Sequence, residues 1–86
     1  MPHIELLGLA RRYAGVEKID CAGATLEQLL RDLGTRYPAF SKHCLPGEFL
    51  PRGLIVCVNE RRFTIDLTET IQPDDRVLIL SADVGG

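Results

Sequence analysis

One stretch of the chain repeats its hydrophobic residues at helical spacing. Four leucines stand at positions i, i+3, i+4 and i+7, namely Leu26, Leu29, Leu30 and Leu33. Thr25 precedes them and Gln28 follows it by three residues, which lets each side chain bond a free backbone N–H at the helix start. Pro38 disfavours helical geometry in the residue before it, so the helix is expected to end near residue 36. The pattern predicts one amphipathic helix whose leucine face must pack against another element.

Shorter apolar stretches on either side of this helix predict β-strands. Residues 3–9 and 16–21 flank the turn residues Ala14-Gly15, which indicates an N-terminal hairpin. Leu54–Val58 is apolar at every position and is therefore predicted to be a central strand covered on both faces. The remaining candidates are a short strand over residues 61–64 and a last strand over residues 76–80.

The connecting segments are marked by turn residues. Residues 38–53 hold three prolines and two glycines, which predicts a long loop with at most a short turn of helix near residues 40–45. Loops of this length in compact domains are often functional. Turns are also expected at Asn59-Glu60 and at Pro73-Asp74-Asp75, with an irregular crossing over residues 65–72 between them.

These elements together predict an α+β fold. A single amphipathic helix needs a sheet with one apolar face as its partner. We therefore expect a roll in which a mixed sheet of four to five strands carries one main helix across one face. The chain is short enough for a single domain, predicted over residues 1–80, with residues 81–86 as a flexible C-terminal tail. If the last strand pairs centrally, that tail projects from a rigid element.

Composition and charge narrow the classes of function. The chain has 86 residues and a net charge of −2, so it lacks the excess of basic residues that is typical of nucleic-acid-binding proteins. Its first residues lack the basic start and apolar region of a signal peptide, and no apolar run approaches the ~20 residues of a membrane span. We therefore expect a soluble cytoplasmic protein.

The three cysteines do not indicate a metal or disulfide site. Cys21, Cys44 and Cys57 are odd in number and lack C-x-x-C spacing. Cys57 lies within an apolar strand, where a thiol usually acts as a small core residue. His43-Cys44 is the only adjacent pair with ligand or catalytic chemistry, and adjacent loop residues rarely converge on one point. We therefore expect no bound metal.

The most distinctive feature is the ending Val84-Gly85-Gly86, which follows closely on the apolar run at residues 77–80. Two consecutive glycines lose much conformational entropy when they become ordered, but they can enter a channel too narrow for side chains. A merely structural tail gains nothing from this loss of entropy, although small frayed termini without a function are also common. The ending suggests that the terminal carboxylate of Gly86 is itself the reactive group.

The chain resembles the MoaD/ThiS family of sulfur carriers over nearly its whole length. The resemblance rests on the order of elements, on Val56-Cys57-Val58-Asn59-Glu60, on Pro73-Asp74-Asp75-Arg76-Val77, and on the terminal diglycine. Residues 25–38 also resemble the helix of molybdopterin-synthase small subunits. The family fold that this implies is the ubiquitin-like β-grasp.

The chain departs from the family pattern in two places. Glu60 stands where the family turn often has glycine, which alters the expected turn but no chemistry. Ser81-Ala82-Asp83-Val84 stands where molybdopterin-synthase small subunits commonly have Pro-Pro-Val or Pro-Ala-Val before the diglycine. The resemblance therefore leaves the molybdopterin, thiamin, cysteine and secondary-metabolite pathways open.

What the resemblance implies is a carrier that acts as a co-substrate and not as an enzyme. An E1-like adenylating enzyme of the MoeB/ThiF type would use ATP and Mg²⁺ to convert the Gly86 carboxylate into an acyl-adenylate. Sulfur would then displace AMP, leaving a thiocarboxylate for a sulfur-accepting synthase. The carrier would bind no cofactor itself, and Gly85 and Val84 would be recognised with the tail. The candidate partner surface comprises Leu7, Phe63, Leu80, Arg61 and Arg62.

Two other functions fit the same sequence. A ubiquitin-like protein modifier would be joined through Gly86 to lysines of target proteins, after the same adenylation. A β-grasp interaction domain would carry an inert tail. The basic pairs Arg11-Arg12 and Arg61-Arg62 are either a solvated rim or the contact for an acidic patch on the adenylating enzyme.

Overall fold

A five-stranded mixed sheet with three helices makes up the fold in the computed structural model, which describes residues 1–44 and 53–81. In chain order the elements are β1 (His3–Leu7), α1 (Gly8–Ala14), β2 (Lys18–Asp20), α2 (Leu26–Arg36), α3 (Pro38–Cys44), β3 (Leu54–Val58), β4 (Arg62–Phe63) and β5 (Arg76–Ser81). The strands lie in the order β2-β1-β5-β3-β4, with β1 and β5 parallel and the other neighbours antiparallel. The predicted α+β roll with a mixed sheet is confirmed.

The main helix forms where the leucine spacing predicts it. All four leucines of the stripe are fully buried in the core against the inner face of the sheet. The Thr25 hydroxyl accepts a hydrogen bond from the Gln28 N–H at 3.3 Å. The Gln28 side chain accepts one from the Ala24 N–H at 2.9 Å, so the helix start is capped from both sides. The helix ends at Arg36, two residues before Pro38, as expected.

The last strand lies at the centre of the sheet, between β1 and β3. This position confirms central pairing of β5, and it places β3 fourth in the order of five strands. Ile55 in β3 is 41% exposed, so the prediction that this strand is covered on both faces was wrong at that position. β5 also runs one residue beyond the predicted boundary, because Ser81 pairs with Leu54. Residues 82–86 of the predicted tail lie outside the described residues.

The N-terminal hairpin is formed, but its connection is a helix. β1 and β2 pair antiparallel, with His3 opposite Asp20. Between them lies α1, which the sequence analysis assigned to strand and turn. Ala10 and Ala14 are one turn apart and both are buried, which gives this short helix a core-facing side. Gly15 caps its end in the left-handed conformation, with φ of 79°, instead of turning a hairpin.

The segment predicted as a long loop begins with a helix. Residues 38–44 form α3, which starts at a proline and buries Phe40 and Cys44 at i and i+4. The short helical turn predicted near residues 40–45 is therefore a longer helix that begins earlier. The remainder of the predicted loop, residues 45–52, lies outside the described residues.

Candidate functional site

Ser81 is the last described residue before the diglycine ending, and three elements hold it. It pairs with Leu54 in β3, and it forms an isolated parallel bridge with Gly8 at the start of α1. Its side chain also lies beside the thiol of Cys44, the last residue of α3. Any segment that follows Ser81 therefore starts from a fixed point at the centre of the sheet.

Gly8 is required for this close approach. Its φ of 63° lies in the left-handed region, which side chains other than glycine rarely adopt. A Cβ atom at this position would meet the Ser81 carbonyl oxygen and the Leu80 Cδ1 atom, each at 3.0 Å. The absence of a side chain at Gly8 thus allows α1 to begin directly against the end of β5.

The predicted tail residues Val84, Gly85 and Gly86 lie outside the described residues. Their roles as the site of adenylation and as tail recognition residues stay predictions. What the structure adds is the position of Ser81, five residues before Gly86. Five extended residues span at most about 17 Å. A partner site that reacts with Gly86 must therefore approach Ser81 within that distance.

The sheet face opposite the helices carries apolar side chains beside Ser81. β-strand alternation and the register put Leu7, Leu80 and Ile55 in one row across three strands. A second row contains Leu78, Cys57 and Phe63. Phe63 is 74% exposed, while Leu7 and Leu80 are partly buried. The structure thus brings the predicted residues Leu7, Phe63 and Leu80 to one face; we call these two rows the open face.

Ile55 and Leu78 belong to the open face but were not predicted as site residues. The dense apolar run around Ile55 suggested burial, because it gave no polar alternation to mark an outward side. Leu78 could have been found from the sequence, since it alternates with Leu80 and must therefore point to the same face.

Charged side chains occupy the opposite end of this face. A pocket of about 410 Å³ lies there, lined partly by Glu5, Lys18 and Cys57. His3 Nδ1 lies 2.7 Å from Asp20 Oδ1, and Arg76 Nη2 lies 2.9 Å from Glu60 Oε1. The face is thus apolar near Ser81 and polar at its far end.

The predicted contact pair Arg61-Arg62 lies away from Ser81. It follows the turn after β3, where Val58 pairs with Val77 of β5. Ser81 lies four residues after Val77 along the strand, which is roughly 13 Å. Arg62 Nη2 also pairs with Glu69 Oε2 at 2.9 Å. These arginines therefore lie near the N-terminal end of β5, at the opposite end of that strand from Ser81, where the C-terminal segment starts.

The three cysteines are buried, whereas His3 and His43 are exposed. Burial raises the pKa of the Cys21 thiol to about 11, and burial also raises the pKa of Cys44. His43 is exposed and stacks on Tyr13, with ring centroids 4.1 Å apart. Within residues 1–44 and 53–81, no group of three or more His, Cys, Asp or Glu residues is placed to hold a metal ion. His43 and Cys44 thus serve different contacts in the fold.

Comparison with known proteins identifies the family. The model of the ThiS family matches residues 4–86, which is nearly the whole chain and includes the diglycine. The chain belongs to the ThiS family. Members of this family are small carrier proteins and not enzymes themselves, and the membership supports a sulfur-carrier role for this chain. A search of curated proteins finds no match.

Solved structures show the same β-grasp fold. Methanosarcina acetivorans small archaeal modifier protein 1 is 21% identical, with a TM-score of 0.81, covering 99% of this chain and 95% of that one. A chain of the Amycolatopsis orientalis BexX/CysO complex is 22% identical, with a TM-score of 0.79 and full coverage of both chains. Mycobacterium tuberculosis CysO is 26% identical, with a TM-score of 0.75, covering 96% of this chain and 100% of that one.

Among the described residues, no helix has the length and apolar character that crossing a membrane requires.

Proposed function

We propose that this ThiS-family protein carries sulfur on the carboxylate of Gly86. The observation that carries the proposal is the family match, which runs through Gly86 itself. The fixed position of Ser81 supports it, because a short segment on a rigid strand can be presented to a partner at low entropic cost. That the mature protein ends at Gly86 is part of the proposal.

The chemistry needs a partner enzyme, since a carboxylate is a poor electrophile. In an E1-like adenylating enzyme, a Gly86 carboxylate oxygen attacks the α-phosphate of ATP, and pyrophosphate leaves. A sulfur nucleophile then attacks the acyl carbon and displaces AMP, which gives the thiocarboxylate. The partner supplies Mg²⁺, positioning and electrostatic stabilisation, which account for most of such catalysis.

This chain supplies the reacting group and the surface that presents it. Glycine at the last two positions lets the tail enter a narrow channel, both in the adenylating enzyme and in the sulfur acceptor. The open face adjoins Ser81, so a partner that takes up the tail also meets Leu7, Leu80 and Ile55. Exposed apolar side chains that form a contiguous patch often mark such contacts. ATP-dependent activation also places the proposed reaction in the cytoplasm.

Reconstitution tests the proposal. The purified protein is incubated with the host's MoeB/ThiF-type adenylating enzyme, ATP, Mg²⁺ and a sulfide source, and thiocarboxylate formation is measured. The wild-type chain forms the thiocarboxylate, whereas Gly86→Ala folds normally and is a poor substrate, since a methyl group obstructs the channel. Equal product from both variants contradicts the role given to Gly86.

Protein modification is a second candidate, favoured by one comparison. The structural neighbour from Methanosarcina acetivorans is named a small archaeal modifier protein. A modifier begins with the same adenylation, so reconstituted activation does not separate the two functions. Glycyl-glycine remnants on lysines of other proteins in the native host indicate conjugation, and their absence in a host that accumulates thiocarboxylate favours sulfur transfer alone.

The sulfur acceptor differs between the candidate pathways. Molybdopterin, thiamin, cysteine and secondary-metabolite synthesis each require a different sulfur-accepting synthase. Genes beside this one that encode a large molybdopterin-synthase subunit, a thiazole synthase or a cysteine synthase-like enzyme would identify the pathway.

A further inference from the structure

The two short helices carry charge of one sign only. α1 contains Arg11 and Arg12, and α3 contains Lys42 and His43, while neither helix has an acidic residue. The main helix α2 differs, because its acidic and basic residues form ion pairs with each other. On a chain with a net charge of −2, this is a local concentration of positive charge. We call these four residues the basic patch.

Contacts between the helices bring the basic patch together. The Tyr13 ring of α1 stacks on the His43 ring of α3, with an angle of 11° between the planes. Arg12 and Lys42 directly adjoin these rings in the sequence, and both are exposed. Arg11 Nη1 lies 3.7 Å from Glu17 Oε1, so its charge is partly balanced. Within the described residues no carboxylate pairs with Arg12 or Lys42.

The basic patch adjoins the point where the C-terminal segment starts. α1 begins at Gly8, which bridges Ser81, and Arg12 lies four residues further, about 6 Å along the helix. α3 ends at Cys44, whose thiol lies beside the Ser81 side chain, and Lys42 lies two residues earlier. Ser81 thus has the open face on one side of the sheet and the basic patch on the other.

We propose that the basic patch binds an acidic surface of the adenylating enzyme that activates Gly86, an inference that rests on the proposed function. A partner that reaches Gly86 must come within about 17 Å of Ser81, and the basic patch lies inside that range. The pair Arg61-Arg62 is a weaker candidate, because it lies at the far end of β5 and Arg62 is already paired with Glu69.

A protein partner fits this patch better than nucleic acid does. Tight binding to nucleic acid requires many phosphate contacts, and the patch offers only three permanently charged side chains on an acidic chain. Complementary charge between proteins acts mainly on the rate of encounter and on orientation. The effect is therefore expected in kcat/KM for the carrier at low salt, and not in the rate of a saturated enzyme.

Matched double variants test the inference. Arg12→Gln with Lys42→Gln removes two charges from the basic patch, and Arg61→Gln with Arg62→Gln removes two charges from the far end of the sheet. Glutamine removes the charge, remains polar and has a helix propensity close to that of Arg and Lys. Circular dichroism confirms that each variant is folded. The kcat/KM for carrier-dependent pyrophosphate release is then measured with the host's adenylating enzyme at about 0.01 M and about 1 M salt, where the Debye length is about 30 Å and about 3 Å.

The expected result is a loss of about tenfold for the Arg12/Lys42 variant at low salt, which disappears at high salt. The Arg61/Arg62 variant stays within about twofold of the wild type under both conditions. Equal losses in the two variants, or no loss in the first, overturn the basic patch as a docking surface while leaving the proposed function intact. No pyrophosphate release with the wild-type chain overturns the proposed function, and the docking surface with it.

Discussion

Asn59 and Asp75 are joined by a hydrogen bond that links the turn after β3 to the turn before β5. Asn59 Nδ2 donates to Asp75 Oδ1 at 2.8 Å. The second Asp75 oxygen accepts from the Gln72 N–H, and Asn59 Oδ1 accepts from the Arg76 N–H, each at 2.8 Å. Asp75 is only 9% exposed, and each of its carboxylate oxygens has a partner within the fold. This network sets the register at which the central strand begins.

Removing this network should destabilise the whole domain. Asp75→Ala removes the hydrogen bonds that the Asn59 amide and the Gln72 N–H donate to the Asp75 carboxylate, and hydrogen bonds to charged groups contribute about 1.5–3 kcal/mol. We expect the free energy of unfolding to fall by about 2 kcal/mol, measured by urea denaturation. Asp74→Ala is the matched control, because Asp74 is exposed in the same turn. A loss in the control equal to that of Asp75→Ala would contradict the role of the network.

Glu60 occupies a strained turn position. Asn59 and Glu60 have φ of 55° and 59°, as in a type I′ turn, which favours glycine at the second position. Glu60→Gly relieves this strain, whereas the exposed ion pair with Arg76 that it removes is worth less than about 1 kcal/mol. We expect stability to rise by up to about 1 kcal/mol, with thiocarboxylate formation unchanged. A thermal melt that shows clear destabilisation would refute this view of the turn.

Alanine variants at two glycines distinguish the effect of the Gly8–Ser81 contact on stability from the effect of backbone strain. Gly8 and Gly15 both have positive φ, but a Cβ atom at Gly15 meets nothing within 4 Å. Gly15→Ala should lower the free energy of unfolding by about 1 kcal/mol through the backbone alone. Gly8→Ala should cost about 1–2 kcal/mol more, because Cβ presses on the Ser81 carbonyl. Similar losses at both positions, in urea denaturation, would show that this contact contributes little.

Burial of Cys21 predicts a loss of stability at alkaline pH. Burial, followed by the nearby Asp32 carboxylate, raises its pKa from 9.0 to about 11. Between these values the unfolded chain has released the thiol proton while the folded chain retains it, so stability falls as pH rises through this window. The loss is on the order of 2 kcal/mol for the full shift. Cys21→Ala should show a shallower decline from pH 9 to 11; an identical decline would contradict the assignment.

The sequence predicts the parts of this fold that have a strong local signal. The leucine stripe and the capping residues Thr25 and Gln28 locate α2, and the uniformly apolar Leu54–Val58 locates β3. α1 was missed because it is seven residues long and its buried side is only Ala10 and Ala14. The glycine that caps its C-terminal end is also a residue expected in a hairpin turn, so residue type alone does not distinguish a helix end from a turn.

The candidate site is likewise only partly predictable from the sequence. Strand alternation places Leu7, Phe63 and Leu80 on one face, since each lies at a predictable parity in its strand. The closeness of the two helices that carry Arg12 and Lys42 could not be predicted, because it depends on the packing of α1 against α3. No sequence pattern predicts the stacking of Tyr13 on His43, which are thirty positions apart in the chain.

The intact mass of the protein purified from its native host tests the central claim most directly. The account predicts a mature chain that ends at Gly86, with a fraction of molecules heavier by about 16 Da, the gain when sulfur replaces one carboxylate oxygen. Fragmentation should place that gain on Gly86. A mature chain with a different C-terminus, or a chain that never carries the extra mass when its adenylating enzyme is present, would contradict the account.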